Sequence, residues 1–189
     1  ENLYSIPVIT HCCLEPHGQV IAMNGDKVNY WASTQAVSTV GGDLARGLEI
    51  PAANVHVRMA YMGGGFGGKF PADRWGIESA QLSKASGGRP VKFFLDRETE
   101  LTIAGVRPSA FANIKIGAKK DGSIIAWQSQ SWASGGFGGG GMPPLPYVYN
   151  KIPNYRLNHT AVSLNAGSAR AWRAPNNPQA SFLTCSAID

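Results

Sequence analysis

Cysteine is scarce. There are three in 189 residues, two of them adjacent at Cys12 and Cys13, too few for the disulfide framework of a small secreted domain, which favours a reducing, cytoplasmic setting. Long apolar runs are missing: none approaches the roughly eighteen residues that a membrane span needs. The first residues also lack the basic, apolar and small-residue succession of a secretory leader. Acid is missing from the second half, where Asp121 and Asp189 are the only carboxylates after Glu100, against eight Lys and Arg. The net charge of +5 is carried there, and such asymmetry suits an anionic ligand, nucleic acid or an acidic docking partner. No lysine-rich run accompanies Trp127, Trp132 and Tyr155, which fall within alternating strands, so nucleic acid is not expected.

Glycine is plentiful. Of 23 glycines, eleven fall within residues 63–68 and 135–141, and no collagen period relates them. With 43% hydrophobic and 10% aromatic residues the chain can bury a core, so the clusters mark places that need bare backbone inside a folded domain.

Apolar β-formers over 19–23 and 28–32 flank Asn24-Gly25-Asp26 and predict a hairpin. Val37, Val40, Leu44, Ala45 and Leu48 recur at helical spacing over 36–48, and Pro51 stops that helix. A strand over 55–61 leads into the first glycine cluster, a helix over 72–86 follows it, and 90–95 reads as a buried strand. Strands over 110–119 and 123–133 meet at Lys120-Asp121-Gly122, a second hairpin. The second cluster with Met142-Pro143-Pro144-Leu145-Pro146 reads as a long irregular loop, a candidate for disorder or for a substrate entrance. A strand over 155–164 and a helix from 179 to 188 complete an α+β pattern of mixed β-sheets with flanking helices. The last helix carries neither a capping glycine nor a basic last turn, so the chain reads as a fragment.

Gly63, Gly68 and Lys69 fit the phosphate-loop pattern, but Phe70 stands where a hydroxyl would bind magnesium. Gly63, Gly65 and Gly68 fit the dinucleotide pattern, but Gly88-Arg89-Pro90 occupies the place of its acidic residue. The physics that both motifs share remains: a loop without Cβ atoms, able to approach an anion, with Phe66 displayed among glycines. His11, Cys13, Glu15 and His17 would share one face of an extended segment, a conceivable zinc set. Pro16 bends that segment and no second ligand pair follows, which favours a packed, hydrogen-bonded reading.

In chain order, His11 with Glu15-Pro16, Ser33-Thr34-Gln35, residues 63–69, Gly88-Arg89-Pro90-Val91-Lys92, Asp96-Arg97, Arg107-Pro108, Asp121-Gly122, Arg173-Ala174-Pro175 and Pro178-Gln179 resemble the molybdenum-binding subunit of the xanthine dehydrogenase and aldehyde oxidase family. The likeness is to its first molybdenum-cofactor domain, and it runs over nearly all of residues 1–189. The resemblance implies that Gln35 contacts an oxo ligand of molybdenum. It implies that Gly64, Gly65, Phe66 and Gly67 lie against metal and pterin, and that Arg173 closes the cofactor site. Gln35, Phe66 and Arg173 would thus be near molybdenum without ligating it, while Arg107 and Phe70 would face the substrate. The implied chemistry is hydroxylation of an aldehyde or a nitrogen heteroaromatic with oxygen from water, electrons leaving to iron–sulfur and FAD partner domains or subunits.

Departures refine this. Phe70 replaces the glutamate of xanthine-oxidising members and favours an apolar substrate. Ala174 replaces the cysteine of the copper-containing carbon monoxide dehydrogenases. Cys185 stands where the family has a glutamate, which bears on packing. The family's catalytic glutamate follows a glycine in the second cofactor domain, and no glutamate here does. The chain is expected to hold half of a cofactor site, the second domain and the base being absent. Two other readings stand beside this one: a non-catalytic scaffold that docks iron–sulfur and flavin subunits, and an anion- or nucleotide-binding domain using the glycine loop.

Overall fold

The structure, a computed structural model, describes residues 4, 6–138 and 141–189. Along the chain run β1 (Ile9–Thr10), β2 (Gly18–Asn24), β3 (Lys27–Ala32), α1 (Val37–Leu48), a 3-10 turn (Ala52–Asn54), β4 (Val55–Arg58) and α2 (Asp73–Ala85). After these come β5 (Val91–Phe94), α3 (Arg97–Ile103), β6 (Val106–Arg107), β7 (Ser109–Ala118), β8 (Ile124–Ser134), β9 (Asn154–Val162) and α4 (Asn177–Ile188). The chain forms two compact units, His11–Ala104 and a second made of the residues up to Thr10 with Gly105–Asp189. Mixed sheets with flanking helices are the architecture that the alternating patterns predict.

In the His11–Ala104 unit the strand order is β4-β3-β2-β5. β3 alternates exposed and buried residues along its whole length, the period-two signature of a sheet covered on one face. Ile21, Met23, Val28, Tyr30 and Ala32 from that face meet Val40 and Leu44 of α1 and Ala80 of α2 in one core. Polar contacts fix the helices as firmly as the apolar ones. The Ala72 amide donates to Asp43 Oδ2 at 2.8 Å, so α1 supplies the cap that the start of α2 lacks. Buried Gln19 donates to Ser79 Oγ at 2.8 Å and to the Trp75 carbonyl at 2.9 Å, pinning α2 across β2. β4 ends at Arg58, short of the expected 61, because its parallel pairing with β3 stops at Arg58 opposite Trp31, and residues 59–62 are released into the glycine loop.

In the other unit β7 and β8 form the expected antiparallel hairpin, and β9 lies parallel to β8. Asp121 Oδ1 accepts the Ser123 amide at 2.9 Å in the hairpin turn, an Asx turn. α4 packs against β7, with Ala180, Leu183, Trp127, Met142 and Leu145 in the core. The loop expected over 135–146 is irregular yet held: the Ala169 amide donates to the Gly135 carbonyl at 2.7 Å, and the Phe137 amide to the Ala166 carbonyl at 3.0 Å. Residues 139 and 140 of that glycine cluster lie outside the described residues.

Candidate functional site

β3 runs out at Ala32, and the next three residues turn to meet the glycine loop. The Gln35 amide donates to the Lys69 carbonyl at 2.7 Å, and Thr34 Oγ1 donates to the same oxygen at 3.1 Å. The Gln35 side-chain oxygen accepts the Gly67 amide at 2.7 Å and the Lys69 amide at 3.4 Å. Both partners are N–H donors, so the amide oxygen must face inward and the NH2 group outward. Gln35 is exposed and therefore presents a donor pair.

The loop is shaped around that amide. A Cβ on Gly65 would run into the Gln35 carboxamide, and one on Gly63 would come within 2.5 Å of Glu15 Cβ. Phe66 has φ 51°, a left-handed conformation that a bulky side chain adopts only where its surroundings enforce it. Its ring folds back over Gly64, where a side chain would meet it at 3.2 Å, yet remains 47% exposed. Phe70 beyond the loop is exposed to a similar degree.

Charge lies beneath. Lys69, 1% exposed, donates from Nζ to the Glu15 carbonyl and to Ser33 Oγ, each at 2.7 Å. Glu15 Oε2 accepts from the Gly63 amide at 2.7 Å and Ser33 Oγ at 2.9 Å. Partial burial pushes the Glu15 carboxyl up, but the Gly63 amide, the Ser33 hydroxyl and the Lys69 ammonium outweigh it, and its pKa falls below the ordinary value. His17, buried, bridges Glu100 Oε1 at 2.9 Å and the Gly68 carbonyl at 3.1 Å, and Arg97 pairs with the other Glu100 oxygen. Burial, with Glu100 adding to it, raises the Cys13 pKa against the opposing pull of Lys69 and Arg97. Among the described residues no three His, Cys, Asp or Glu converge as a metal site. Within His11–His17 the side chains of His11, Cys13 and His17 are buried while Cys12 and Leu14 are exposed, and Glu15 and His17 hydrogen-bond the glycine loop.

Arg107 and Arg173 belong to the other unit. Arg107 is buried and donates from Nη2 to the Trp172 carbonyl at 2.8 Å and the Arg173 carbonyl at 2.9 Å, its guanidinium lying over the Trp172 ring at 4.8 Å. Burial lowers its pKa. Among the described residues its buried Nη1 meets no hydrogen-bond partner. Arg173 is exposed and is followed by Ala174 and Asn176 at φ 56° and 65°, a constrained turn immediately before α4. The structure thus brings Gln35 to Gly64–Gly67 and Arg107 to Arg173.

The phosphate-loop likeness does not survive this geometry. Lys69 points inward, and the amides of Gly63, Gly67 and Gly68 already donate to Glu15, Gln35 and the Gly65 carbonyl, so four of the groups that would cradle a phosphate are occupied. The loop instead offers a bare backbone edge, an outward amide donor and an exposed aromatic ring, which could hold a flat cofactor laid against it.

The family model described as the molybdopterin cofactor-binding domain matches residues 1–189. The chain belongs to this family. Among curated relatives of this molybdopterin domain is the aldehyde oxidoreductase molybdenum-binding subunit PaoC of Escherichia coli (strain K12), 35% identical over all of this chain and 26% of that protein. Xanthine dehydrogenase/oxidase of Mus musculus is 29% identical over 92% of this chain and 14% of that protein. The molybdopterin domain thus spans about a quarter, or less, of these relatives. Its fold is shared with quinoline 2-oxidoreductase from Pseudomonas putida 86, with TM-score 0.74 and 24% identity over 90% of this chain and 23% of that one. The aldehyde oxidoreductase from Desulfovibrio gigas also has TM-score 0.74, with 23% identity over 96% of this chain and 21% of that one. No helix among the described residues is long and apolar enough to cross a membrane.

The resemblance singles out Gln35 and Phe66 but gives Lys69, Glu15 and the pair of His17 and Glu100 no role as the loop's supports. One signal was available. Asp96 followed by Glu98 and Glu100 is a helix start with acid in its first turn, and Asp96 Oδ1 does accept the Thr99 amide at 2.7 Å to open α3, the helix that carries Glu100.

Proposed function

We propose that this domain forms one wall of the cofactor site in a molybdenum hydroxylase that oxidises an aldehyde or a nitrogen heteroaromatic. The observation that carries the reading is the Gln35 carboxamide, whose oxygen is held by the Gly67 and Lys69 amides so that its NH2 group faces out beside Phe66. When bound, the molybdenum cofactor supplies hydroxylation with water-derived oxygen and accepts the electron pair. The Gln35 NH2 group would donate to an anionic oxygen of that cofactor, and the bare edge of Gly64, Gly65 and Gly67 would let it lie flat. The exposed Phe66 ring would exclude water from the same face once the cofactor lies against it. Phe70 favours an apolar substrate over a polar purine, since a phenyl ring cannot hydrogen-bond a purine edge.

Arg173, with its backbone held by Arg107, would close the cofactor site, and Arg107 would lie on the substrate side. The remaining wall and the catalytic base would come from a second cofactor domain of the parent subunit. Iron–sulfur and FAD domains or subunits would carry the electrons away. Three free thiols, Cys12, Cys13 and Cys185, agree with a reducing, cytoplasmic location.

Molybdenum and pterin analysis of the purified parent protein tests the proposal. Stoichiometric cofactor that falls in Gln35→Ala supports it, and a parent protein without molybdenum overturns it.

A further inference from the structure

Lys69 is fully buried, and a buried ammonium is a costly way to fill space. A methionine would pack the same volume without desolvating a charge, so the reason for lysine lies in its donors. Nζ reaches the Glu15 carbonyl and Ser33 Oγ, each at 2.7 Å, with Glu15 Oε2 at 3.5 Å. The Lys69 backbone meanwhile receives the Gln35 amide and the Thr34 hydroxyl on its carbonyl, and gives its own N–H to Gln35 Oε1. One residue therefore ties three segments: the turn at Glu15, the end of β3, and the exit of the glycine loop. Glu15 ties the entrance, exchanging two hydrogen bonds with Gly63, its N–H to the Gly63 carbonyl at 3.1 Å and its Oε2 to the Gly63 amide at 2.7 Å. The loop between Gly63 and Lys69 is closed at its base by an ion pair, as a strap is closed by a buckle.

We infer that Lys69 is a positioning residue of this site, acting through Glu15 and Gln35 to fix the donor face and Phe66. The inference rests on the proposed function only for what the face holds; the buckle itself is a property of the chain. Losing the ammonium leaves Glu15 Oε2 bound to Gly63 and Ser33 but without its direct tie to the loop exit, so entrance and exit are coupled only through the end of β3. The carboxamide of Gln35 then loses its fixed direction even where the sheet behind it is unchanged.

Hydrogen–deuterium exchange on the parent protein reads this directly, compared between wild type, Lys69→Met and Lys84→Met, a control at an exposed lysine of α2. In Lys69→Met, peptides over 33–36 and 62–70 should exchange about tenfold faster while those over 20–24 and 40–45 keep their rates, because only local opening is eased. Molybdenum and pterin content should fall about tenfold in the same variant, one hydrogen-bonded group's worth of affinity, and stay at the wild-type level in Lys84→Met. Wild-type exchange over 62–70 in Lys69→Met overturns the inference, as does faster exchange spread evenly over the unit. Faster loop exchange with full cofactor content overturns the link from buckle to cofactor. Should Lys69→Met not fold, Glu15→Gln keeps one side-chain oxygen to accept from Gly63 and Ser33 and removes the charge. There, exchange over 62–70 should rise about threefold, and an unchanged rate overturns the inference. A wild-type protein without molybdenum overturns the proposed function and leaves the exchange test of Lys69 standing.

Discussion

The Gln35 side-chain oxygen holds the Gly67 amide at 2.7 Å across 32 residues of sequence, and Gly67 directly follows the left-handed Phe66. The outward donor and the displayed ring are therefore set by one hydrogen bond. Turning the carboxamide would leave the Gly67 and Lys69 amides facing an NH2 group, an arrangement with donors on both sides.

Replacing Gln35 separates these roles. Gln35→Glu keeps an oxygen for Gly67 and Lys69, so the loop should hold and the melting temperature should change little. Its outward atom becomes an anionic acceptor that repels an anionic cofactor. Retention of molybdenum and pterin should drop by about tenfold to a hundredfold, the scale of losing a charge-assisted hydrogen bond. Metal and pterin content per protein, measured beside a thermal melt, checks both halves.

Two glycines of the loop should respond differently to alanine. At Gly63 the new Cβ meets Glu15 Cβ at 2.5 Å and the Glu15 backbone nitrogen at 3.2 Å, atoms that move only with the chain. Gly63→Ala should cost about 1–3 kcal/mol by overpacking, seen as a lowered denaturant midpoint. At Gly65 the three atoms nearest the new Cβ all belong to the Gln35 side chain, which can swing away. Gly65→Ala should spare more of the stability and lose cofactor to the same degree as Gln35→Ala, which metal analysis of the two variants compares.

The Glu15 carboxyl responds to acid in a defined sense. Burial pushes its pKa up, yet the Gly63 amide, Ser33 hydroxyl and Lys69 ammonium together depress it below the ordinary carboxylate value. A group depressed on folding contributes stability that is present above its unfolded pKa and is lost as pH falls through the folded one. The glycine loop should loosen on the acid side of the ordinary carboxylate range and be indifferent to alkali over the neutral range. Glu15→Gln should lower stability at neutral pH and flatten this acid limb, as denaturant titrations at a series of pH values would show.

Both hairpins were legible because their turns carry chemistry local to the sequence: Gly25 at φ 57° and Gly122 at φ 85° sit between alternating strands. The residues proposed to face a cofactor are singled out by resemblance alone, and glycine density points only to bare backbone. What supports them was not legible. Lys69 lies 54 residues from Glu15 and 36 from Ser33, and nothing local to Lys69 distinguishes a buried lysine from a solvated one. The parallel pairing of β8 with β9 is likewise set by a long crossover whose path no local pattern encodes. α3 was overlooked because seven residues are too few to show a helical period, although its capping aspartate was in view.

The thiols offer a contrast that needs no cofactor. Cys12 and Cys185 are exposed and Cys13 is buried, and burial raises the Cys13 pKa, Glu100 reinforcing it while Lys69 and Arg97 oppose it. Thiolate is the reactive form, so at mildly alkaline pH an aromatic disulfide reagent should label Cys12 and Cys185 of this chain quickly, and Cys13 only on unfolding. Lys69→Met removes one of the two charges that favour the Cys13 thiolate but also opens the buckle above it. If access governs the rate, Cys13 labelling should quicken in Lys69→Met despite the lost charge. If the electrostatic pull governs, labelling should slow. The exposed position of the opened loop makes the first outcome the expected one, and peptide mapping of the labelled thiol decides it.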